Sequence, residues 1–206
     1  MNAETCPSHP APLIILASAS PRRAELLQKI GLPFQVIPSG HGEEGEFPVD
    51  PELRALSLAR VKARDVARRF KEGLVIGADT LVAVEDLVLG KPRDREEAGR
   101  FLRSLRGKLH RVMTGVAVVE AGSLKEEAAV EVTWVKMRAF SDEEVEAYLQ
   151  TGEPFDKAGG YAIQGRGALF IEAIHGDYSN VVGLPLGKLR TLLLKFGVDP
   201  LRRIFC

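Results

Sequence analysis

Val75-Ile76-Gly77-Ala78-Asp79-Thr80-Leu81-Val82-Ala83-Val84, followed by Glu85-Asp86-Leu87-Val88-Leu89-Gly90-Lys91-Pro92, is the stretch on which the fold turns. Branched aliphatic residues dominate it, so it reads as a strand covered on both faces. Alternation puts Val75, Gly77, Asp79, Leu81 and Ala83 on one face, and Ile76, Ala78, Thr80, Val82 and Val84 on the other. An aspartate in such a strand has to be paired or to face a ligand, because stripping water from a lone carboxylate costs several kcal/mol. Gly77 leaves room beside it for a ligand or a neighbouring backbone. Glu85-Asp86 is a turn and Leu87-Val88-Leu89 a returning strand, which brings Lys91 back toward Asp79. A structural Asp79–Lys91 pair across the hairpin and a paired, metal-facing Asp79 both satisfy this pattern.

The rest of the chain supplies layers for that strand. Leu13–Ala17 is a short buried strand, and Ser18-Ala19-Ser20-Pro21-Arg22-Arg23 opens a helix carrying Leu26, Leu27 and Ile30. Ser20 stands at the N-cap and Pro21 at the first helical position. Arg22 and Arg23 then fall in the first turn, where the helix dipole disfavours cations. Either they are solvated at a small cost, or an anion sits at the helix end, held by backbone N–H groups and guanidinium forks together.

Phe34–Ile37 reads as a second strand, and Pro38–Asp50 as a loop carrying Glu43, Glu44 and Glu46. Asp50 caps a helix to about Phe70 whose stripe is Leu56, Leu58, Ala59, Ala63, Val66 and Phe70. Lys62 falls inside that stripe, so it either snorkels to water or points into a site. Asp94–Glu97 and Ser141–Glu144 are capping boxes for two further helices. His110–Glu120 and Ala128–Met137 are longer strands, with His110 in structural duty. Leu169-Phe170-Ile171 and Asn180-Val181-Val182 are read as strands, and Pro185 starts a last helix. The alternation gives an α/β fold with a mixed sheet and two lobes around a central cleft.

Composition narrows the function. The 28 basic and 28 acidic residues cancel, which argues against a nucleic-acid binder with its usual basic excess. No apolar run approaches the ~20 residues that span a bilayer. Cys6 and Cys206 stand far apart near the ends, as in a reduced, cytoplasmic protein. P-loop, Rossmann, zinc and G-x-S-x-G patterns are absent. What remains is a set of cations (Arg22, Arg23, Lys62, Lys91, Lys157) and carboxylates (Glu44, Asp79, Asp156) on separate loops and element ends. Such a set suits a polyphosphate: cations neutralise it, while a carboxylate holds Mg²⁺ or Mn²⁺ and takes a proton from water. The run Asp156-Lys157-Ala158-Gly159-Gly160-Tyr161-Ala162-Ile163-Gln164-Gly165-Arg166-Gly167 carries glycines that tight turns alone explain, beside polar residues that they do not.

Ser18–Arg23, Gly77–Thr80, Gly90–Pro92, Asp156–Gly159, Ile163–Gly165 and Val182–Pro185 resemble, in order, the successive motifs of the Maf family of nucleoside triphosphate pyrophosphatases. The resemblance covers about residues 13–197, taken as one catalytic domain between an N-terminal tail (1–12) and a C-terminal tail (198–206). It implies the Maf/inosine-triphosphatase fold and hydrolysis of a nucleoside triphosphate to monophosphate and diphosphate with a divalent cation, Mg²⁺ or Mn²⁺. Asp79 matches the proton acceptor, and Asp79, Lys91 and Glu44 form the implied catalytic set. Ser18, Arg23, Lys62, Lys91 and Lys157 match the family's phosphate-contacting positions, and Arg22 joins them as a substrate-binding residue. Asp79 and Glu44 are the implied metal-side carboxylates, with Glu43 the alternative to Glu44 because Ser39-Gly40-His41-Gly42 is one residue longer than the family pattern. Gly160 and Ala162 depart from the common A-G-A-Y-G-I-Q-G form.

Arg22, Thr80 and Gln164 resemble the branch acting on dTTP and UTP, whereas the 7-methyl-GTP branch carries an aromatic where Arg22 stands. The glutamine amide offers one donor and one acceptor to a pyrimidine edge. The competing expectations are a non-enzymatic nucleotide-binding regulator of cell division, a 7-methyl-GTP-type pyrophosphatase, and a phosphatase or kinase cutting at the γ-phosphate. The partners implied are a nucleotide substrate and a second copy in a homodimer, with neither nucleic acid nor membrane.

Overall fold

The central strand β3 (Leu74–Val84) is paired along one whole edge and interrupted on the other. The computed structural model describes residues 12–40 and 46–203. On its continuous edge β3 meets β5 (Leu109–Glu120) antiparallel from Leu74↔Glu120 to Ala83↔Arg111. On the other edge β1 (Ile14–Leu16) lies parallel to Leu74–Ile76, and β4 (Leu87–Leu89) returns antiparallel on Val82–Val84. Between them Gly77–Leu81 has no strand partner on that side among the described residues. The sheet continues outward to β2 (Gln35–Val36) beyond β1, and to β6 (Glu126–Met137) and β7 (Ile171–His175) beyond β5. It is one seven-stranded mixed sheet, in the α/β class the alternation implied.

Helices cover both faces. α1 (Pro21–Lys29) and α6 (Leu186–Leu194) pack Leu26, Leu27, Leu189 and Leu193 over Ile14, Leu16, Ile76 and Val116. At the other end of β3, α3 (Arg95–Leu105) and α4 (Asp142–Leu149) gather Leu102, Leu105, Val145 and Leu149 around Val82, Val84 and Met137. These are the two lobes, and the gap in strand pairing lies between them. The opposite face belongs to α2 (Pro51–Ala67), which buries Ala55, Leu58, Ala59, Ala63, Val66 and Ala67. The core extends past residue 197, since Val198 is buried with α6 and Asp199 pairs with Arg190 ahead of α7 (Pro200–Arg203). Among the described residues no helix is long and apolar enough to cross a membrane.

The seat of α2 is unusually close. A Cβ on Gly77 would collide with the Ala59 carbonyl and stand 2.7 Å from Ala63 N, and one on Gly115 would collide with the Ala55 carbonyl. The space at Gly77 is therefore filled by the α2 backbone and not by a ligand. Two segments depart from the strand reading. Leu169 and Phe170 finish a short 3₁₀ segment (Arg166–Phe170), with β7 starting only at Ile171. Asn180-Val181-Val182 is helical, in α5 (Tyr178–Val182). Asp177 caps it by accepting from the Ser179 N–H at 2.7 Å and the Ser179 hydroxyl at 2.6 Å, and Gly183 closes it. Short apolar runs do not separate strand from helix, and here the cap decides. At α3 only half of the expected capping box forms, because Glu97 reaches the Arg93 N–H instead of that of Asp94. The box at α4 is complete.

Gly115→Ala should lower stability by about 1–3 kcal/mol, the usual cost of overpacking a closed core. A urea midpoint unchanged from that of the parent chain would show that α2 is not seated on the sheet in this way.

Candidate active site

The interruption on β3 is the floor of a cleft of about 390 Å³, a volume in the range of small-ligand sites. Its lining includes Ser18, Arg22, Arg23, Lys62, Asp79 and Thr80, and also Lys91, Lys157 and Gln164. Every site residue expected from the sequence and lying among the described residues thus borders one cavity. Glu44 and its alternative Glu43 lie outside the described residues.

Asp79 is buried, with 5 % of its surface exposed. Its partner is Lys62, whose Nζ donates to Oδ1 at 2.5 Å. The lysine of the α2 stripe therefore points inward, and the hairpin pair with Lys91 does not form. Asp79 Oδ2 is buried with no hydrogen-bond partner among the described residues. Lys91 makes no hydrogen bond or ion pair with a described residue and stands exposed at the cleft.

Thr80, one residue on, faces the opposite side of the sheet and anchors a polar chain. Arg23 donates from Nε to the Gly183 carbonyl at 2.7 Å, from NH1 to Ser18 Oγ at 2.9 Å and from NH2 to Thr80 Oγ1 at 3.1 Å. Thr80 and Thr114 hydroxyls lie 3.0 Å apart, and Thr114 donates to the Asn180 carbonyl at 3.1 Å. The Asn180 amide donates to the Val112 carbonyl and Thr133 Oγ1. Burial lowers the Arg23 guanidinium from its ordinary value, while the Asp79 carboxylate works the other way. Arg23 thus braces β1, β3 and the end of α5, with part of its fork still unused.

Arg22 donates from NH1 to Asp156 Oδ2 at 3.0 Å, and Lys157 Nζ to Asp156 Oδ1 at 2.5 Å. Burial opposes the Asp156 charge, but the hydrogen bonds from Lys157 and Arg22 hold its carboxyl below the usual range. Ser20 occupies the N-cap of α1, yet its side chain makes no capping bond and the first turn holds no acid. Asp50, Asp94 and Ser141 do cap α2, α3 and α4. The cleft end of α1 is left as positive as a helix end can be.

Thr114, Asn180 and the Gly183 carbonyl were not foreseen. Thr114 could have been found only from the register that pairs it with Thr80. His110 is buried, as its structural reading required, and its Nε2 lies 2.7 Å from the hydroxyl of Tyr161, a cleft residue. His110 Nδ1 has no partner among the described residues, and burial lowers the imidazole to about 4. Among the described residues no cluster of three or more His, Cys, Asp or Glu could hold a metal on its own.

The chain belongs to the Maf family, whose description is Maf-like protein and which it matches over residues 13–196. The dTTP/UTP pyrophosphatase of Carboxydothermus hydrogenoformans is 51% identical over 184 residues, covering 89% of this chain and 98% of that protein. The proteins of the same name from Moorella thermoacetica and Acetivibrio thermocellus are 50% identical over 191 residues and 46% identical over 198. Each match covers 93% of this chain and 98% of the relative.

A histidine whose folded value lies below its unfolded ~6.5 leaves the unfolded chain binding the extra proton, so stability is full above that value and falls as pH drops toward 4. The loss should reach up to roughly 3 kcal/mol, read as a lower urea midpoint at about pH 5 than at about pH 7.5. His110→Gln should flatten that interval. An equal pH slope in both proteins would refute the assignment.

Proposed function

We propose that this chain is a nucleoside triphosphate pyrophosphatase that hydrolyses dTTP and UTP to the monophosphate and diphosphate. The observation that carries the reading is Asp79: a buried carboxylate fixed through one oxygen by Lys62, with the other oxygen unmet, on the floor of a cleft edged with further cations. The names of the relatives at about half identity support the same reaction and the same bases.

Arg22, Lys91 and Lys157 would meet the phosphate chain, with the open end of α1 and the Ser18 hydroxyl at its flank. Arg23 contributes the unused part of its fork and keeps Ser18 and Thr80 in place. Lys62 fixes the direction of the Asp79 carboxylate, which takes the proton of the attacking water as oxygen bonds to the α-phosphorus. The bond to the bridging oxygen breaks and diphosphate leaves, its developing charge met by the lysines. Gln164 and Thr80, two of the positions that the resemblance ties to base choice, would face the pyrimidine.

Mg²⁺ or Mn²⁺ fits this donor set, since Asp79 Oδ2 is a hard oxygen without a protein partner and such ions take one or two carboxylates plus substrate phosphates. Asp79 and, from outside the described residues, Glu44 would hold it. Bound there, the cation would neutralise phosphate charge and polarise the water. We assign the reaction to the cytoplasm, on the sequence reading, and to a single catalytic domain that starts near residue 13 and runs past 197, since Val198 is buried with α6.

Incubation of the full chain with dTTP or UTP and Mg²⁺ should yield monophosphate and diphosphate in equal amounts, and chelation should stop it. Release of inorganic phosphate would point to cleavage at the γ-position, and binding without turnover to a regulator; either overturns the proposal. Asp79→Asn should cost about 10³-fold or more in kcat with the fold retained, in keeping with loss of a proton acceptor and an electrostatic partner together.

A further inference from the structure

The turn that carries Gln164 is held from behind, at both ends, by two side chains that do not line the cleft. The Tyr148 hydroxyl, from the last turn of α4, accepts the Ala162 N–H at 3.2 Å and donates to Glu153 Oε1 at 2.8 Å. Glu153 in turn accepts the Gly167 N–H at 3.1 Å and the Arg166 N–H at 2.9 Å. The turn between these anchors closes on itself where Gly165 N–H meets the Ala162 carbonyl.

Contact with the backbone is direct. A Cβ on Gly165 would lie 2.5 Å from Glu153 Oε1, and one on Gly167 would lie 2.7 Å from the Tyr148 hydroxyl. Neither glycine has a positive φ, so turn geometry does not account for them. The carboxylate does at Gly165, and the phenol together with the Ala162 backbone does at Gly167, because they press on the main chain where a side chain would stand. Burial works against the Glu153 charge, but the Gly167 N–H, the Tyr148 hydroxyl and the Arg166 N–H hold its carboxyl below the ordinary range. Successive N–H groups around a carboxylate form an anion nest, here occupied by the protein's own residue. The backbone carbonyl of Glu153 also accepts Lys157 Nζ at 2.7 Å. One residue therefore ties the Gln164 turn to a cation of the phosphate side.

We propose that Tyr148 and Glu153 are positioning residues for base selection: together they clamp the turn Ala162–Gly167, set Gln164 against the pyrimidine, and lock that setting to Lys157. This rests on the reading of Gln164 as the base contact. The two act through the glutamine and touch no substrate.

The test is steady-state kinetics of the full chain on dTTP, UTP and ATP for Tyr148→Phe, Gln164→Ala and the double variant. Tyr148→Phe keeps the ring, which packs edge-on against Phe170 at 5.2 Å, and removes only the hydroxyl. It should raise KM for dTTP and UTP about tenfold, the size of one hydrogen bond's net worth, with kcat within about twofold and ATP unaffected. Added to Gln164→Ala it should change nothing further, as expected when one residue acts only through another. A kcat that falls by one factor on all three nucleotides, or effects that multiply in the double variant, would overturn the positioning role. If Gln164→Ala lowers the pyrimidine preference and Tyr148→Phe does not, the clamp alone is refuted. If Gln164→Ala leaves that preference intact, the base-contact reading fails and the clamp falls with it.

Discussion

Direct contact between the α2 backbone and the sheet, over Gly77 and Gly115, is the constraint from which the site follows. Only where both strands lack a side chain can a helix settle this low, and only then does a lysine on its buried stripe reach a carboxylate on β3. A charge pair placed there does not add stability by default. Desolvating two ions costs several kcal/mol each, and well-packed apolar residues would often serve the fold as well. The pair satisfies only half of the carboxylate, because Asp79 Oδ2 finds no donor among the described residues. A fold optimised for burial would have closed that oxygen off with an N–H or a hydroxyl. Leaving it unmet at the floor of a cleft is costly unless a ligand completes it.

Topology supplies the opening. β1 stops after Leu16 and β4 begins its pairing only at Val82, so the edge of β3 between them is bare where Asp79 and Thr80 stand. Adjacent residues on a strand face opposite ways, and the two are supported differently: Asp79 by α2, Thr80 by Arg23 and the chain through Thr114 to Asn180. Asn180 carries that chain into β5 and β6 through Val112 and Thr133. Both supports rest on β5, which runs unbroken beneath the cleft.

Much of this was legible in the residues themselves. The continuous aliphatic run gave the central strand, the aspartate within it demanded a partner, and the lysine in an apolar helical stripe was a cation out of place. That Lys62, and not Lys91, is the partner depends on how low α2 sits, which two isolated glycines do not announce. Asn180-Val181-Val182 looked like a strand because three residues are too few to show a period, and the deciding Asp177 cap and Gly183 stop lay outside the run. Arg23 was recognisable as a misplaced cation, but not as a brace, since its three acceptors come from the chain at Ser18, Thr80 and Gly183. The glycine-rich motif was visible as an anomaly. Its cause, a tyrosine and a glutamate pressing on the turn from behind, appears only once α4 is in place.

The cations also differ in how much freedom they keep. Arg23 is spent on holding the walls together, Arg22 and Lys157 share Asp156, and Lys91 is uncommitted. A polyphosphate entering the cleft meets the uncommitted lysine at no cost in existing bonds, whereas Arg22 and Lys157 must exchange a carboxylate for it. Asp156 accepts from both Arg22 and Lys157, and so keeps two like charges close together. Such prior ordering matters because holding the cations apart in water would forfeit their field, and drawing them together only on binding would consume part of the binding energy. On the proposed function, the arrangement would be set for an anion before one arrives, with the carboxylate of Asp156 as the group it displaces.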